Sequence, residues 1–459
     1  MKRPNVLLLY TDQQRWDTIG AGGNELIHTP NLDALAARGA LFDNAFCNAP
    51  VCMPSRMSML SGQYPSSVGV CVNGIEMPEA IPCVHNILKL YDYHTANIGK
   101  LHFKNHAGLS RDHREPHPPY GFDTLILSDE PGCYDDAYIK WVAQQDPAQV
   151  ENCRVDTPPA WTGAPVRCHS RSLVEPYAFD GPEHLTHTAF VAEETVSYLR
   201  RHKDHPFFCI AGFYAPHSPI NPPERFVKLY DPAQMPLPYR NEGENFRDTT
   251  DEQWRVAKAH YYALISHIDD QVGRILSELK TLGLEDDTIV IFTADHGERL
   301  GDRGKVAKGS PEDSAARVPL IVSFPAGFKA CGRRTELVEA VDIVPTILDW
   351  CGVQSPPFMQ GRSFRALLEG RDCDARDSAF IERREPFQGG YKALRTHSHL
   401  YTMHSDGREE LYALENDPHQ LTDVAADPAF TDDLQAMRLA LLRRWFEIEK
   451  QYPKRTARY

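Results

Sequence analysis

Hydrophobic positions along this chain fall into short continuous runs, with amphipathic stretches between them. Asn5 to Thr11 is an unbroken apolar run of strand length, and Asn31 to Arg38 reads as a helix stopped at Gly39. Ala189 to Arg201 reads as a further helix, and Phe207 to Tyr214 as a buried strand that ends near His217. Asp251 to Leu282 is a long amphipathic helix, with Trp254, Tyr261, Ile265, Ile268, Val272 and Ile275 along one stripe. Thr288 to Thr293 predicts another buried strand, running into Asp295 and His296, and Leu320 to Phe324 one more. Strands that are apolar on both faces and separated by helices build βα units. The pattern predicts an α/β fold: a large mixed, mostly parallel sheet flanked by helices.

Two stretches depart from it. Asn105 to Pro182 is rich in Pro, His, Asp and Gly and lacks periodicity, which predicts an insertion over one end of the sheet. Beyond Asp374, the segments Lys392 to Arg395, His399 to His404 and Glu409 to Leu414 look like short antiparallel strands. Ser405-Asp-Gly-Arg408 carries a hairpin signal, and Phe430 to Glu449 reads as a closing helix. The expected division is a main domain over residues 1–373 and a small C-terminal α+β subdomain over residues 374–459.

Charge narrows the partners. The 459 residues hold 63 acidic and 49 basic side chains, a net charge of −14. Nucleic acid and anionic membrane surfaces call for a basic face, so neither is an expected partner. A small anion feels only the local field of its pocket and is not excluded. Eleven cysteines, an odd number without a CxxC pair, indicate neither a disulfide framework nor a zinc ribbon. Met1 to Pro4 leads straight into Val6 to Tyr10, too short for a signal-peptide core, and no run reaches the length of a membrane span. A cytoplasmic protein with reduced thiols is expected, most of them serving as small buried apolar groups.

The chemistry concentrates at a few points. Pro54 at a first helical position, followed by Met57 to Leu60 and Gly62, puts Cys52 at a helix N-terminus, where N–H groups and dipole favour an anion. Taken alone, a cysteine there fits a small buried side chain equally well. The clusters at 12–13, 52–56, 217 and 295–296 each lie at a predicted strand end or helix start, and in parallel sheets such ends converge on one crevice. Asp12, Gln13, Asp295 and His296 offer two carboxylates, an amide oxygen and an imidazole. Mostly oxygen donors suit a hard divalent cation such as calcium or magnesium better than zinc. A lone Asp is more often a cap or turn residue, so the metal reading rests on the set.

Cys52-Met-Pro-Ser-Arg56, continuing to Gly62, resembles the signature of the type I sulfatases of the alkaline phosphatase superfamily. The other motifs fall in that family's order: Asn5 to Gln13, His28-Thr-Pro-Asn-Leu-Asp33, Gly99-Lys-Leu-His102, Ala215-Pro-His217, Thr293-Ala-Asp-His-Gly-Glu298, Lys308, Arg317-Val-Pro-Leu320 and Leu411 to Pro418. The resemblance implies an alkaline phosphatase-like fold and hydrolysis of a sulfate monoester, of a small molecule or a carbohydrate. It further implies oxidation of Cys52 to formylglycine by a maturation enzyme, with residue 52 joining Asp12, Gln13, Asp295 and His296 as metal ligands. Arg56, Lys100, His102, His217 and Lys308 would form a cationic pocket for the anion, with Asn73 contacting the substrate as well.

The implied mechanism is covalent. One hydroxyl of the hydrated aldehyde attacks sulfur in line, and His217 or Lys308 protonates the leaving alcohol. His102 then takes a proton from the second hydroxyl, which expels sulfate. Gln13 stands where many sulfatases carry a second Asp, and a similar Asp-Gln pair occurs in the related phosphonate monoester hydrolases. Those enzymes, or phosphodiester hydrolases, are therefore the nearest alternative, but Lys100 with His102 favours sulfate. A non-catalytic anion-binding protein with unconverted Cys52 is the alternative from another class. His102, His106, His113 and His117 are too irregularly spaced for a second metal site. Asp92 replaces a glycine common in relatives and predicts a turn with left-handed backbone. The leaving group is not readable, though the insertion and the loop from Phe387 to Tyr391 are expected to shape its side of the pocket. A homo-oligomer is left open.

Overall fold

Strand β1 (Asn5–Asp12) runs through the centre of the main sheet, every residue buried, in a computed structural model that describes residues 3–104, 118–131, 136–154, 172–385 and 389–449. Both neighbours, β5 (Phe207–Pro216) and β6 (Thr288–Ala294), are parallel to it, with Leu8 opposite Ile210 and Ile291. Beyond β5 lie β3 (His94–Gly99) and β4 (Thr124–Leu127), also parallel. On the other side β8 (Leu320–Ser323) pairs antiparallel with β6. Next comes β2 (Ala40–Phe46), which pairs antiparallel with β8 and β7 (Arg317–Val318) and parallel with β9 (Gly332–Glu339). This nine-stranded mixed sheet matches the expected α/β class.

The period-2 geometry of β1 splits the core between the two faces. Val6, Leu8 and Tyr10 pack with Met57, Leu60 and Ile347 from the helices Cys52–Ser61 and Ile343–Trp350. Leu7 and Leu9 pack with Leu35, Phe190 and Ile268 from the helices Pro30–Ala37, His187–His202 and Asp251–Thr281. The longest of these starts on a capping box between Thr250 and Gln253, with Asp251 and Glu252 in its first turn.

A second sheet orders β10 (Ser378–Glu385), β11 (Gly389–Thr396), β12 (His399–His404) and β13 (Glu409–Ala413) as an antiparallel meander. The helix Thr431–Ile448 lays Leu434, Met437 and Leu441 against Phe380, Leu394 and Tyr401. The turn at 405–408 closes β12 on β13, with Gly407 at φ 89°, as its sequence predicts. Strands β2, β3, β9 and β10 have no clear signal in the sequence.

Two local expectations need correction. Pro54 is the third residue of its helix, not the first; it still falls among the N-terminal positions whose N–H has no helical partner. Cys47, Cys83, Cys153, Cys209 and Cys351 are buried as expected, but Cys71 and Cys331 are half-buried and Cys373 is exposed. Cys133, Cys168, His106, His113, His117 and Phe387 lie outside the described residues. Asp92 adopts φ 62°, the left-handed turn expected of it. No helix among the described residues is long and apolar enough to cross a membrane.

Candidate active site

The carboxyl ends of β1, β3, β5 and β6 meet the start of the Cys52–Ser61 helix. Val51 caps that helix in an extended conformation, and Asn73 Oδ1 accepts the Met53 N–H at 3.0 Å. Cys52 Sγ stands 3.2 Å from His296 Nε2 and 3.9 Å from Asp12 Oδ1, while His296 Nε2 is 3.6 Å from Asp295 Oδ1. One donor atom from each of Asp12, Cys52, Asp295 and His296 lies within 4.8 Å of the others, all four residues being buried. Ligands of one hard cation stand about 2.0–2.6 Å from it, so donors across a shell lie at most about 5 Å apart. The four residues fit a divalent cation on spacing and charge, and Asp12, Asp295 and His296 also on donor type, whereas the soft Cys52 sulfur suits a hard cation only once an oxygen replaces it.

Gln13 follows Asp12 with a left-handed backbone, φ 66°. Its N–H donates to Asp295 Oδ1 at 3.0 Å and its carbonyl accepts from the Tyr261 hydroxyl at 2.6 Å, which ties this unfavourable conformation at both ends. The side-chain oxygen accepts from Lys308 Nζ at 2.7 Å, and the amide nitrogen donates to Glu298. Lys308 Nζ is also 3.0 Å from Cys52 Sγ.

Close approach of two strands carries Lys100 into the centre. A side chain on Gly99 would strike the Gly212 carbonyl at 2.1 Å, and one on Gly212 the Lys100 carbonyl at 2.2 Å. Lys100 Nζ pairs with Asp12 Oδ2 at 2.5 Å and lies 4.8 Å from the Tyr214 ring centre. Two residues on, His102 takes φ 59°, and Asp129 Oδ1 accepts the N–H groups of both Leu101 and His102 at 2.8 Å. His217 sits at the end of β5 with Nδ1 2.9 Å from the Ser218 carbonyl. Arg56, 1% exposed, gives Nε to Asp295 Oδ2 at 2.8 Å and Nη1 to the Lys100 carbonyl at 3.2 Å, with Tyr10 stacked 4.6 Å from its guanidinium. Arg56 thus braces the carboxylates from behind.

The electrostatics follow. Burial pushes the Asp12 carboxyl up, but Lys100, His217, Lys308 and Arg56 together hold it well below the usual range. Burial and Asp12 raise the Cys52 thiol, yet Lys308, His296 and Lys100 outweigh them and lower it. Burial lowers Lys308 and His296, and the surrounding anions more than reverse this, so both hold their protons more firmly than usual. The pocket favours an anion at residue 52 in contact with cationic donors.

Sequence patterns bring the strand-end residues into view but miss their supports. Asp129 lies in a stretch without periodicity. Tyr261 reads as part of an apolar stripe, which hides the work of its hydroxyl. Glu298 stands inside a recognised motif without a role of its own.

Behind Asp129, Asp136 caps the helix Ala137–Gln145 through the Ile139 N–H and accepts from the Ser128 hydroxyl. Burial raises its carboxyl from 3.8 to about 7 against these hydrogen bonds. The folded protein keeps a proton there that the unfolded chain loses, so stability falls as pH rises from about 4 to about 7 and stays level above. Asp136→Asn preserves the cap and removes this cost. Calorimetry should show a gain of about 2 kcal/mol at pH 8 and none at pH 4, roughly half the limit set by the shift.

A buried carboxylate–imidazole cluster faced by Lys100, Lys308 and His217 is the equipment of an enzyme that cleaves esters of a tetrahedral oxoanion. A family model described as Sulfatase matches residues 4–353, and one described as N-sulphoglucosamine sulphohydrolase, C-terminal, matches residues 301–445. The chain belongs to the sulfatase family of the alkaline phosphatase superfamily and is a sulfuric ester hydrolase. It is 29% identical to an arylsulfatase of Clostridium perfringens, over 98% of this chain and 96% of that one. Against the iduronate 2-sulfatase of Homo sapiens it is 30% identical, over 80% and 73% of the two chains. The solved phosphonate monoester hydrolase of Agrobacterium radiobacter superimposes with a TM-score of 0.86 at 26% identity, covering 98% of this chain and 97% of that one.

Proposed function

We propose that residue 52 is oxidised from cysteine to formylglycine and that Asp12, Gln13, Asp295 and His296 hold a calcium ion beside it, magnesium or manganese being the alternatives. The observation behind this reading is the buried convergence of Cys52, two aspartates and His296 at a helix N-terminus. When bound, the cation supplies Lewis acidity that lowers the pKa of a hydroxyl at residue 52.

The chain's own residues do the rest. Lys308, 3.0 Å from Sγ, holds an ester oxygen of the substrate, and it or His217 gives the proton to the leaving alcohol. Lys100 and Arg56 balance the negative charge that gathers on the oxoanion. His102, its backbone fixed by Asp129, acts as the base that takes a proton from a hydroxyl at residue 52. Asn73, besides accepting the Met53 N–H, offers its amide to the sulfate. The reading includes a cytoplasmic location and a formylglycine-generating enzyme as maturation partner.

Mass spectrometry of the peptide over residues 40–63, taken from an active preparation, is expected to show residue 52 without its sulfur. An unconverted Cys52 in active protein sinks the proposal. Chelation by EDTA is expected to abolish turnover of para-nitrophenyl sulfate, and calcium to restore it better than magnesium or manganese.

Phosphonate monoester or phosphodiester hydrolysis is the second reading. It is supported by Gln13 in place of an acid and by the likeness to the Agrobacterium radiobacter hydrolase. Parallel turnover of an aryl sulfate and an aryl phosphonate separates the two, and faster phosphonate turnover would reverse our choice.

A further inference from the structure

Just past Lys308 the chain forms one wall of a groove of about 610 Å³, whose other wall is the β10–β11–β12 part of the small sheet. Gly309 joins the two walls. Its carbonyl accepts from Arg383 Nη1 at 2.9 Å, and a side chain on it would strike that guanidinium at 2.6 Å. The groove therefore begins one residue from the lysine that touches the nucleophile position.

Its polar lining is under-used by the protein. Tyr391, 9% exposed, and Glu312, 7% exposed, both line it, and neither the Tyr391 hydroxyl nor Glu312 Oε2 has a hydrogen-bond partner. Ser310 Oγ and Arg383 Nε on the same walls are likewise buried without one, whereas His404 Nε2 lies 3.4 Å from Glu410 Oε1. Folded proteins leave few buried polar atoms unpaired by protein or water, and four on one groove leave it free to take up a polar ligand in place of water. The set mixes donors and acceptors: a guanidinium that only donates, a carboxylate that only accepts, and hydroxyls that do both. That mixture answers hydroxyl groups, each of which donates and accepts.

Charge restricts the ligand further. Lys305, Arg383 and Arg408 face Glu312, Glu385, Asp406 and Glu410 around the groove, so it carries no excess positive charge. A polyanion would meet as much repulsion as attraction there.

We propose that this groove binds the leaving group of the substrate, and that the leaving group is an uncharged polyhydroxylated alcohol, a neutral saccharide carrying the single sulfate that is removed. The inference rests on the sulfate-ester reading and adds to it the class of alcohol. The Tyr391 hydroxyl donates to and accepts from saccharide hydroxyls, and Arg383 and Glu312 supply the charged partners.

Tyr391→Phe tests it, because that hydroxyl makes no hydrogen bond whose loss could disturb the fold. Turnover is compared on monosulfated galactose, monosulfated N-acetylgalactosamine, a polysulfated heparin disaccharide and para-nitrophenyl sulfate. A monosulfated neutral saccharide should be preferred in kcat/KM, and Tyr391→Phe should raise its KM about tenfold with little change in kcat, the effect of one lost buried hydrogen bond. Preference for the heparin disaccharide or the aryl sulfate, or an unchanged saccharide KM, overturns the proposal. Calorimetric binding of monosulfated galactose to Cys52→Ala protein, with and without Tyr391→Phe, reads the groove independently of chemistry. Failure of every sulfate to turn over would count against the sulfatase reading, whereas binding insensitive to Tyr391→Phe would count against the groove.

Discussion

Cys52→Ala is expected to lower kcat/KM for para-nitrophenyl sulfate by at least about 10⁴-fold, the scale on which loss of a covalent nucleophile is felt. The fold should survive. Cys52 is small, stands at the start of its helix, and leaves that helix capped by Asn73 and closed at Gly62. The melting temperature is expected to stay within a few degrees of the parent, because removing one buried sulfur opens little space. Lys308 would keep its bond to Gln13 and Arg56 its bond to Asp295, so an intact anion pocket would remain without a group to attack. Activity assays with circular dichroism on the same preparation check both halves. Retained turnover in Cys52→Ala would remove residue 52 from the chemistry.

The largest stability effect is expected at Glu339, which is fully buried. Its Oε1 accepts the Phe380 N–H at 2.6 Å, and its Oε2 meets Arg444 at 2.8 Å, Arg376 at 3.0 Å and the Tyr64 hydroxyl. Arg376 also pairs with Asp342, with Nε 2.6 Å from Oδ2. Burial raises the Glu339 carboxyl, but Arg376 and Arg444 outweigh it and hold it below the ordinary value. Glu339→Gln leaves two buried guanidiniums short of one counter-charge and should cost about 3–5 kcal/mol in urea denaturation at pH 7. A depressed carboxyl contributes stability above its unfolded pKa, near 4.3, and loses it as pH falls through the folded value. The difference between parent and variant should therefore shrink below about pH 4. A constant difference across pH would show that shape, not charge, matters at this position.

Legibility in the sequence follows solvent exposure. Strands β1, β5 and β6 stand out because burial on both faces demands an unbroken apolar run. Strand β2 hides because Asp43 and Asn44 are half-buried, and β9 because its first five residues are exposed or partly so. At the site, Asp12, Cys52, His217, Asp295 and His296 could be read because each sits where a strand ends or a helix begins, and local pattern marks such points. Asp129 and Tyr261 could not. They act on backbone groups of His102 and Gln13 that come close only once the sheet has formed. A spacing rule sees neighbours in sequence, and these supports are neighbours only in space.

The stretch from Lys308 to Asp313 is held at both ends by different parts of the molecule. Its first side chain reaches Cys52, while Asp313 is gripped by Arg395 of the small sheet at 2.9 and 3.0 Å, and Arg383 holds Gly309. The stretch thus ties the small sheet to the surroundings of Cys52. Exchanging the C-terminal part between related enzymes would move the anchor of an active-site lysine together with whatever recognises the alcohol. Selectivity and turnover in this chain should therefore change together under such exchanges, as properties inherited through one shared strap.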